Sequence, residues 1–295
     1  MSRTWVIARH TFVEAVSQPI YSLLLGLAAV LLVVFMFLPF FTLGEDTVMF
    51  KSVGLDIIVV LVLVTTLFAT SKSIHEEIED RTMLTLMSKP VSRFEVLFGK
   101  YLGLSLSAFL GVAVLGTLLC LCTWYRIPGD YMINNRSIDD REFSRLLALR
   151  TSHLTGLYPS LFLLWLQVSV LAAISVAIST RFSLVVNLPA VLLIYVAGNL
   201  TRFLGDALSD KSAVTQTVGS AVATVLPFLE VFDLRQYAVY GQIGLSDGAA
   251  MGGATTQFIW QNTALATMYA GFYVTFALTV GLLVFRNREL GGNEG

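Results

Sequence analysis

His75-Glu76 is the first pair in this chain whose residue types suit hydrolytic chemistry. Histidine followed by glutamate opens the zinc-protease helix motif, where a second histidine four positions on completes the metal pair and the glutamate acts as general base. Here that position is Glu79, so the metal pair is missing and the protease reading fails. Gly99-Lys100 offers the end of a phosphate-binding loop, but Tyr101 follows it and no glycine-rich run precedes it. Cys120 and Cys122, the only cysteines, lie inside one apolar run. Two ligands make a poor metal site, and the thiols read as small buried hydrophobes. No other Ser, His, Asp or Cys constellation rises above background, so no catalytic, cofactor or metal residues are assigned.

What remains is charge placement. The run EEIEDRTMLTLMSKPVSRFEVLFGK, residues 76–100, gathers acids and bases between two greasy stretches. Across 295 residues, 56% are hydrophobic and 13% are charged, against about 25% charged in an ordinary soluble domain. So few charges would leave a soluble fold with large exposed apolar patches, and the composition is that of a membrane protein. A formal net charge of −1 gives no field that would attract nucleic acid.

The elements that must hold this charged run are membrane helices, because a segment in hydrocarbon has to satisfy its own backbone over about 20 residues. The apolar pattern predicts an all-α integral membrane fold with six spans, at about 21–41, 52–71, 101–125, 157–180, 184–201 and 263–285. The second requires Asp56 near the interface, and Pro189 is expected to kink the fifth. The first run is too long for a signal peptide and is expected to remain as an anchor. A further stretch, 212–229, is rich in Gly, Ala, Thr and Ser and contains Gln216 and Pro227. It is read as a re-entrant helical segment rather than a full span. With no internal repeat or long linker, 1–295 is treated as one transmembrane domain.

Basic residues near the span ends orient the bundle. Six spans with both termini cytoplasmic put ten basic residues on short inner segments and nine on longer outer ones, Lys51 and Arg126 among the latter. Density therefore favours this orientation, and the connector Arg181-Phe182-Ser183 and the tail FRNREL give the clearest local support. The N-terminal stretch predicts an interfacial helix with Trp5, Ala8, Phe12 and Ala15 or Val16 on one stripe. Residues 139–150 predict a short amphipathic helix lying on the outer surface or over the helix bundle, with Phe143, Leu146, Leu147 and Leu149 on its apolar side.

Residues 72–100 then form a cytoplasmic excursion between spans two and three. Pro90 ends a short helix that carries Met83, Leu84, Leu86 and Met87. Ser92 followed by Glu95 makes a capping box for the helix that continues through Gly99 and Lys100 into span three. Such a helix, tied by tight turns to two spans, is shaped to be pushed.

The pattern E-x-E-D-R-T-M-x-x-L-M-S-K-P-V-S-R-F-E-x-x-x-G-K-Y-L-G over residues 77–103 resembles the segment after the second span in permeases of the type-2 ABC exporter family. The copper-enzyme maturation and sodium-efflux permeases are the branch it is most similar to. WVIARHTFVEAVSQP (5–19), LPFLEVFDLRQYAVYG (226–241) and VFRNREL (284–290) agree with it. The resemblance implies an inner-membrane, multi-pass permease subunit paired with a second copy or close paralogue and with two cytoplasmic ABC ATPase subunits. ATP and Mg would be bound there, with no cofactor on this chain. It also implies that the excursion carries the coupling helix. On that reading Glu76, Glu77, Glu79, Asp80 and Arg81 are charged contacts to the ATPase, and Met83, Leu84 and Met87 form an inserted ridge. Lys89 and Arg93 bind lipid phosphate or hold the turn at Pro90, and both readings stand. Gly99 and Gly103 permit close helix approach, within the chain or between copies.

Polar residues inside the expected spans mark a transport path or interhelical hydrogen bonds: Gln167 and Ser169, Asn187, Asn199, Gln216, Tyr269 and Tyr273. No carboxylate or lysine lies deep in a span, so the interior suits an amphipathic or lipid-like cargo, or mechanical work on a partner. Glu230 and Asp233 form a gate, an external docking site or a helix cap. A non-conducting scaffold and, less favoured, a secondary transporter are the competing functions.

Overall fold

The computed structural model describes residues 3–38, 46–79, 92–131, 140–200, 226–234 and 256–286, and each regular element among them is helical. Five helices are long and apolar enough to cross a membrane, and a sixth apolar helix is shorter.

Helix α1 (Arg3–Ser17) ends where Gln18 turns extended, and α2 (Pro19–Phe37) starts on a proline, whose missing N–H costs nothing in the first turn. Helix α2 is covered on one side only. Tyr21, Ala28 and Leu32 are buried, while Leu23, Val30 and Phe37 face outward, as hydrocarbon allows. Helix α3 (Asp46–Ser71) begins before the predicted span and does not stop at its end. It runs on through a π-helical turn (Lys72–Glu76) and one α turn (Glu77–Glu79).

Helix α4 (Arg93–Tyr131) opens on the expected capping box. The Ser92 N–H donates to Glu95 Oε2 at 2.8 Å, and the Glu95 N–H donates back to Ser92 Oγ at 3.2 Å. The predicted 72–100 excursion is therefore helical on both stems. The expected short helix with its Met and Leu ridge lies outside the described residues.

Helix α5 (Asp140–Ser179) corrects a second expectation. Residues 139–150 do not make a separate surface helix; from Asp140 they are the first turns of the helix that becomes the fourth span. Nothing between Arg150 and Leu157 breaks the backbone, and 40 residues rise about 60 Å, twice the hydrocarbon thickness of about 30 Å. A helix of that length is long enough to carry its charged end beyond the hydrocarbon.

Helix α6 (Leu184–Asn199) follows a tight connector and runs through Pro189 without interruption. At its far end Gly198 is in contact with residue 227: an added Cβ would meet Pro227 O at 2.7 Å. Residues 226–228 are non-helical and lead into a 3-10 turn (Leu229–Phe232). The remainder of the proposed re-entrant segment, with Gln216, lies outside the described residues. Helix α7 (Thr256–Arg286) closes the bundle against α5.

The core is built from α3, α4 and α5, with α2, α6 and α7 on its flanks. At the end where α3 stops, Ile74 and Ile78 of the π-helical extension pack with Val96, Leu97, Val176 and Phe285. That end is called the junction end below.

Helix α1 lies along α4 through a row of small residues. Ala8, Thr11 and Ala15 are buried, whereas Trp5 is exposed, so the seated stripe is offset from the predicted one. Gly99 and Gly103 receive it: a Cβ at Gly103 would sit 2.5 Å from Ala8 O and 2.8 Å from Thr11 Cβ. The glycine pair therefore serves packing within the chain. Gly103→Val should cost about 1–3 kcal/mol by overpacking and speed hydrogen exchange across α1. Gly26, which among the described residues has nothing within 4 Å of an added Cβ, supplies the control, since Gly26→Val adds the same bulk inside a helix and should cause no such loss.

Candidate functional site

Helices have 3.6 residues per turn, and a π turn inserts one residue and rotates everything beyond it. At Lys72–Glu76 this turn bonds the Glu77 N–H to Ile74 O. The Lys100 ammonium, 2% exposed, donates to the carbonyl oxygen of Ser73, to Ser73 Oγ at 3.1 Å and to Glu77 Oε2 at 2.6 Å. A buried ammonium has three N–H donors, and all three find oxygen here. The two stems of the excursion are thus joined by a charge-assisted knot.

The predicted charged contacts divide accordingly. Glu77 faces inward to Lys100, whereas Glu76 and Glu79 are exposed at the end of the bundle. Glu79 Oε2 lies 3.4 Å from His75 Nε2. Asp80, Arg81, Met83, Leu84, Met87 and Lys89 lie outside the described residues. Arg93 points elsewhere again. Its guanidinium donates to Phe285 O and Arg286 O at 3.1 and 2.9 Å and sits 5.5 Å from the Phe285 ring centroid. It caps the carbonyl end of α7, which the helix itself leaves unsatisfied.

Deeper in, Asn187 is fully buried where α3, α5 and α6 meet. Its Nδ2 lies 2.8–3.0 Å from the hydroxyls of Ser71, Ser175 and Ser179. Two amide hydrogens serve two of these oxygens at most, and Asn187 Oδ1 is buried with no hydrogen-bond partner among the described residues. Ser105 and Ser169 hydroxyls meet at 2.8 Å, and Trp165 donates to Ser105 O. These polar groups stitch helices together along the line below the knot.

Gln167 and Asn199 come together further from the junction. With Ser160, Tyr195 and Asp233 they line a polar cavity of about 20 Å³, room for about one water. Asn199 also donates to Tyr195 O. Tyr269 accepts the Phe228 N–H at 2.8 Å, and its ring packs at a tilt against those of Phe232 and Tyr273. Glu230 belongs to the 3-10 turn, and the Asp233 N–H donates to its carbonyl. The structure thus separates the predicted path residues into an Asn187 cluster, a Gln167–Asn199 cavity and a tyrosine pair.

Several anchors were not singled out by sequence. At the end opposite the junction, Lys51 lies inside α3, 1% exposed, with Nζ 2.9 Å from His153 Nδ1. Arg126, expected in an outer loop, is part of α4. It donates to Phe35 O, Met36 O and Leu38 O at the end of α2 and lies over Phe50. Lysine therefore is buried at both ends of the bundle, just outside the predicted spans 52–71 and 101–125.

Residues 5–290 match the family model described as ABC-2 family transporter protein. No curated protein is similar enough to the chain to count as a match.

The knot at Lys100 is measurable on its own. Glu77→Gln should lower stability by about 1.5–3 kcal/mol, the range for a hydrogen bond to a charged group. Combining it with Lys100→Met should cost less than the sum of the single changes. Thermal unfolding of the detergent-solubilised chain reads both; additive losses would mean the two side chains act independently.

Proposed function

The chain belongs to the ABC-2 family of transporter proteins, and we propose that this multi-pass membrane protein is the permease subunit of an ATP-driven exporter. It works as a single transmembrane unit in the inner membrane with both termini cytoplasmic. Two cytoplasmic ABC ATPase subunits, which bind ATP and Mg, drive it, and a second copy or close paralogue completes the assembly. The six-span arrangement counts α6 as the fifth crossing.

One observation carries the coupling part of this reading: the excursion rises from two helical stems whose bases are joined by the buried Lys100. A load applied at residues 80–91 reaches α3 and α4 together, because moving one stem alone would leave an ammonium or a carboxylate unanswered in an apolar surround. Glu76 and Glu79 stand exposed at the rim of that segment and suit contact with a basic ATPase surface. Glu77 is assigned to the knot and not to the ATPase.

A second reading, mechanical transmission to a partner without conduction, draws on a different observation. Asn187 and Asn199 are hydrogen-bonded within the protein, and the polar cavity beside Gln167 holds about one water.

Co-purification with a cytoplasmic ABC ATPase subunit tests the first reading. Glu79→Lys with Asp80→Lys should weaken ATPase association about tenfold or more, roughly 1.4 kcal/mol, and lower stimulated hydrolysis in proportion, while leaving thermal stability unchanged. Undiminished association, or labelling of residues 80–91 from the outer face, would sink the coupling assignment. Intact association and hydrolysis in liposomes that release no cargo would favour transmission.

A further inference from the structure

A groove of about 480 Å³ runs along the membrane face of α5, α6 and α7 and is closed by Leu226 and Pro227. Its walls are apolar, with Ile178, Ile194, Phe276, Val280 and Val284 among them. From Val284 to Tyr273, both of which line it, α7 rises about 17 Å, close to half of a hydrocarbon core of about 30 Å. The groove therefore follows one leaflet, from the level of the connector between α5 and α6 to near the midplane.

Arg181 stands in that connector and forms part of the lining. It is exposed, and its guanidinium has no hydrogen-bond or ion-pair partner among the described residues. A planar fork of N–H donors at headgroup depth, above a channel one acyl chain long, matches a phosphate with a chain hanging from it.

We propose that this groove binds one phospholipid of net negative charge, with its phosphate on Arg181 and an acyl chain lying against α7 toward Tyr273. A second copy of the chain fits this surface less well. A two-fold axis along the membrane normal keeps each residue at its own depth, so it would bring the two Arg181 cations to the same level of an apolar interface. A zwitterionic lipid fills the channel equally but brings a cation of its own to the guanidinium.

The full chain, purified from membranes in mild detergent and incubated with phosphatidylglycerol or phosphatidylcholine, is read by native mass spectrometry. Wild type should retain phosphatidylglycerol about fivefold over phosphatidylcholine, the scale of one basic side chain meeting an anionic headgroup. Arg181→Gln should bring the ratio to about one, and Arg181→Lys should keep most of it. Val280→Trp should reduce retention of both lipids by filling the channel. An unchanged ratio in Arg181→Gln overturns the headgroup assignment; Arg181 is exposed, and the variant is expected to unfold at the wild-type temperature. Oxidative cross-linking between copies through Val280→Cys, in a chain with Cys120 and Cys122 replaced by serine, would give the groove to a second subunit and overturn the proposal as well.

Discussion

An ammonium group inside an apolar surround must be answered by protein oxygen, and the answer found for Lys100 shapes the junction end of this molecule. Its side chain leaves α4 and needs three acceptors from α3 or its extension. An uninterrupted α-helix engages its carbonyls along its own axis. The π turn at Lys72–Glu76 alters that ladder, and Ser73 O is engaged by Lys100 while Glu77 lies within 2.6 Å of the same ammonium. A distortion that would be a defect in an isolated helix becomes the condition for burying the charge. Ile74 and Ile78, neighbours of Ser73 and Glu77 in sequence, belong to the apolar cluster at this end.

The same logic places arginine at both ends of α4. Arg93 caps the last carbonyls of α7 and Arg126 those of α2, each beside an aromatic ring. The two are 33 positions apart, about 50 Å along a helix, slightly more than the full bilayer with its headgroups at about 40–45 Å. Both guanidiniums therefore sit where charge is tolerated, and both supply donors that helix C-termini lack. Helix α4, seated on α1 through Gly99 and Gly103, thereby fixes a helix at each membrane surface.

The parts of this arrangement that were legible in sequence are those written in local spacing. Apolar runs of about twenty residues gave the long helices; Ser92 and Glu95 gave the start of α4; the glycine pair gave a close approach. Where the reading failed, the deciding partner was distant. Glu77 is inseparable by spacing from Glu76 and Glu79, yet it turns inward because Lys100 is there. Arg93 resembled a lipid or turn residue until the end of α7, 192 positions away, proved to be its acceptor. Residues 140–150 looked like a surface helix because charge was taken to require a bend at the membrane, whereas a helix longer than the bilayer needs none. Of the coupling residues, Asp80, Arg81, Met83, Leu84, Met87 and Lys89 stay an expectation of the sequence pattern, carried forward as proposal.

On the proposed reading, these contacts also decide how a push travels. Helix α4 has no proline between Arg93 and Ile127, so it moves as a rod. Helix α3 is bound to it at the base by Lys100 and, about half a turn further in, to α5 and α6 through Ser71 and Asn187. Ser71 and Ser73 are two residues apart, so displacement of the knot strains the Asn187 cluster almost at once. That cluster has a weak point, the buried Oδ1 without a partner among the described residues, and its three hydroxyls can exchange donors and acceptors by rotation alone. A charged tie that resists separation, next to a hydroxyl cluster able to re-pair cheaply, puts the stiffness at the surface and the compliance just inside it. In a bundle built this way, work done at the excursion is spent on shifting α5 and α6 relative to α3, and the crossing helices themselves stay intact.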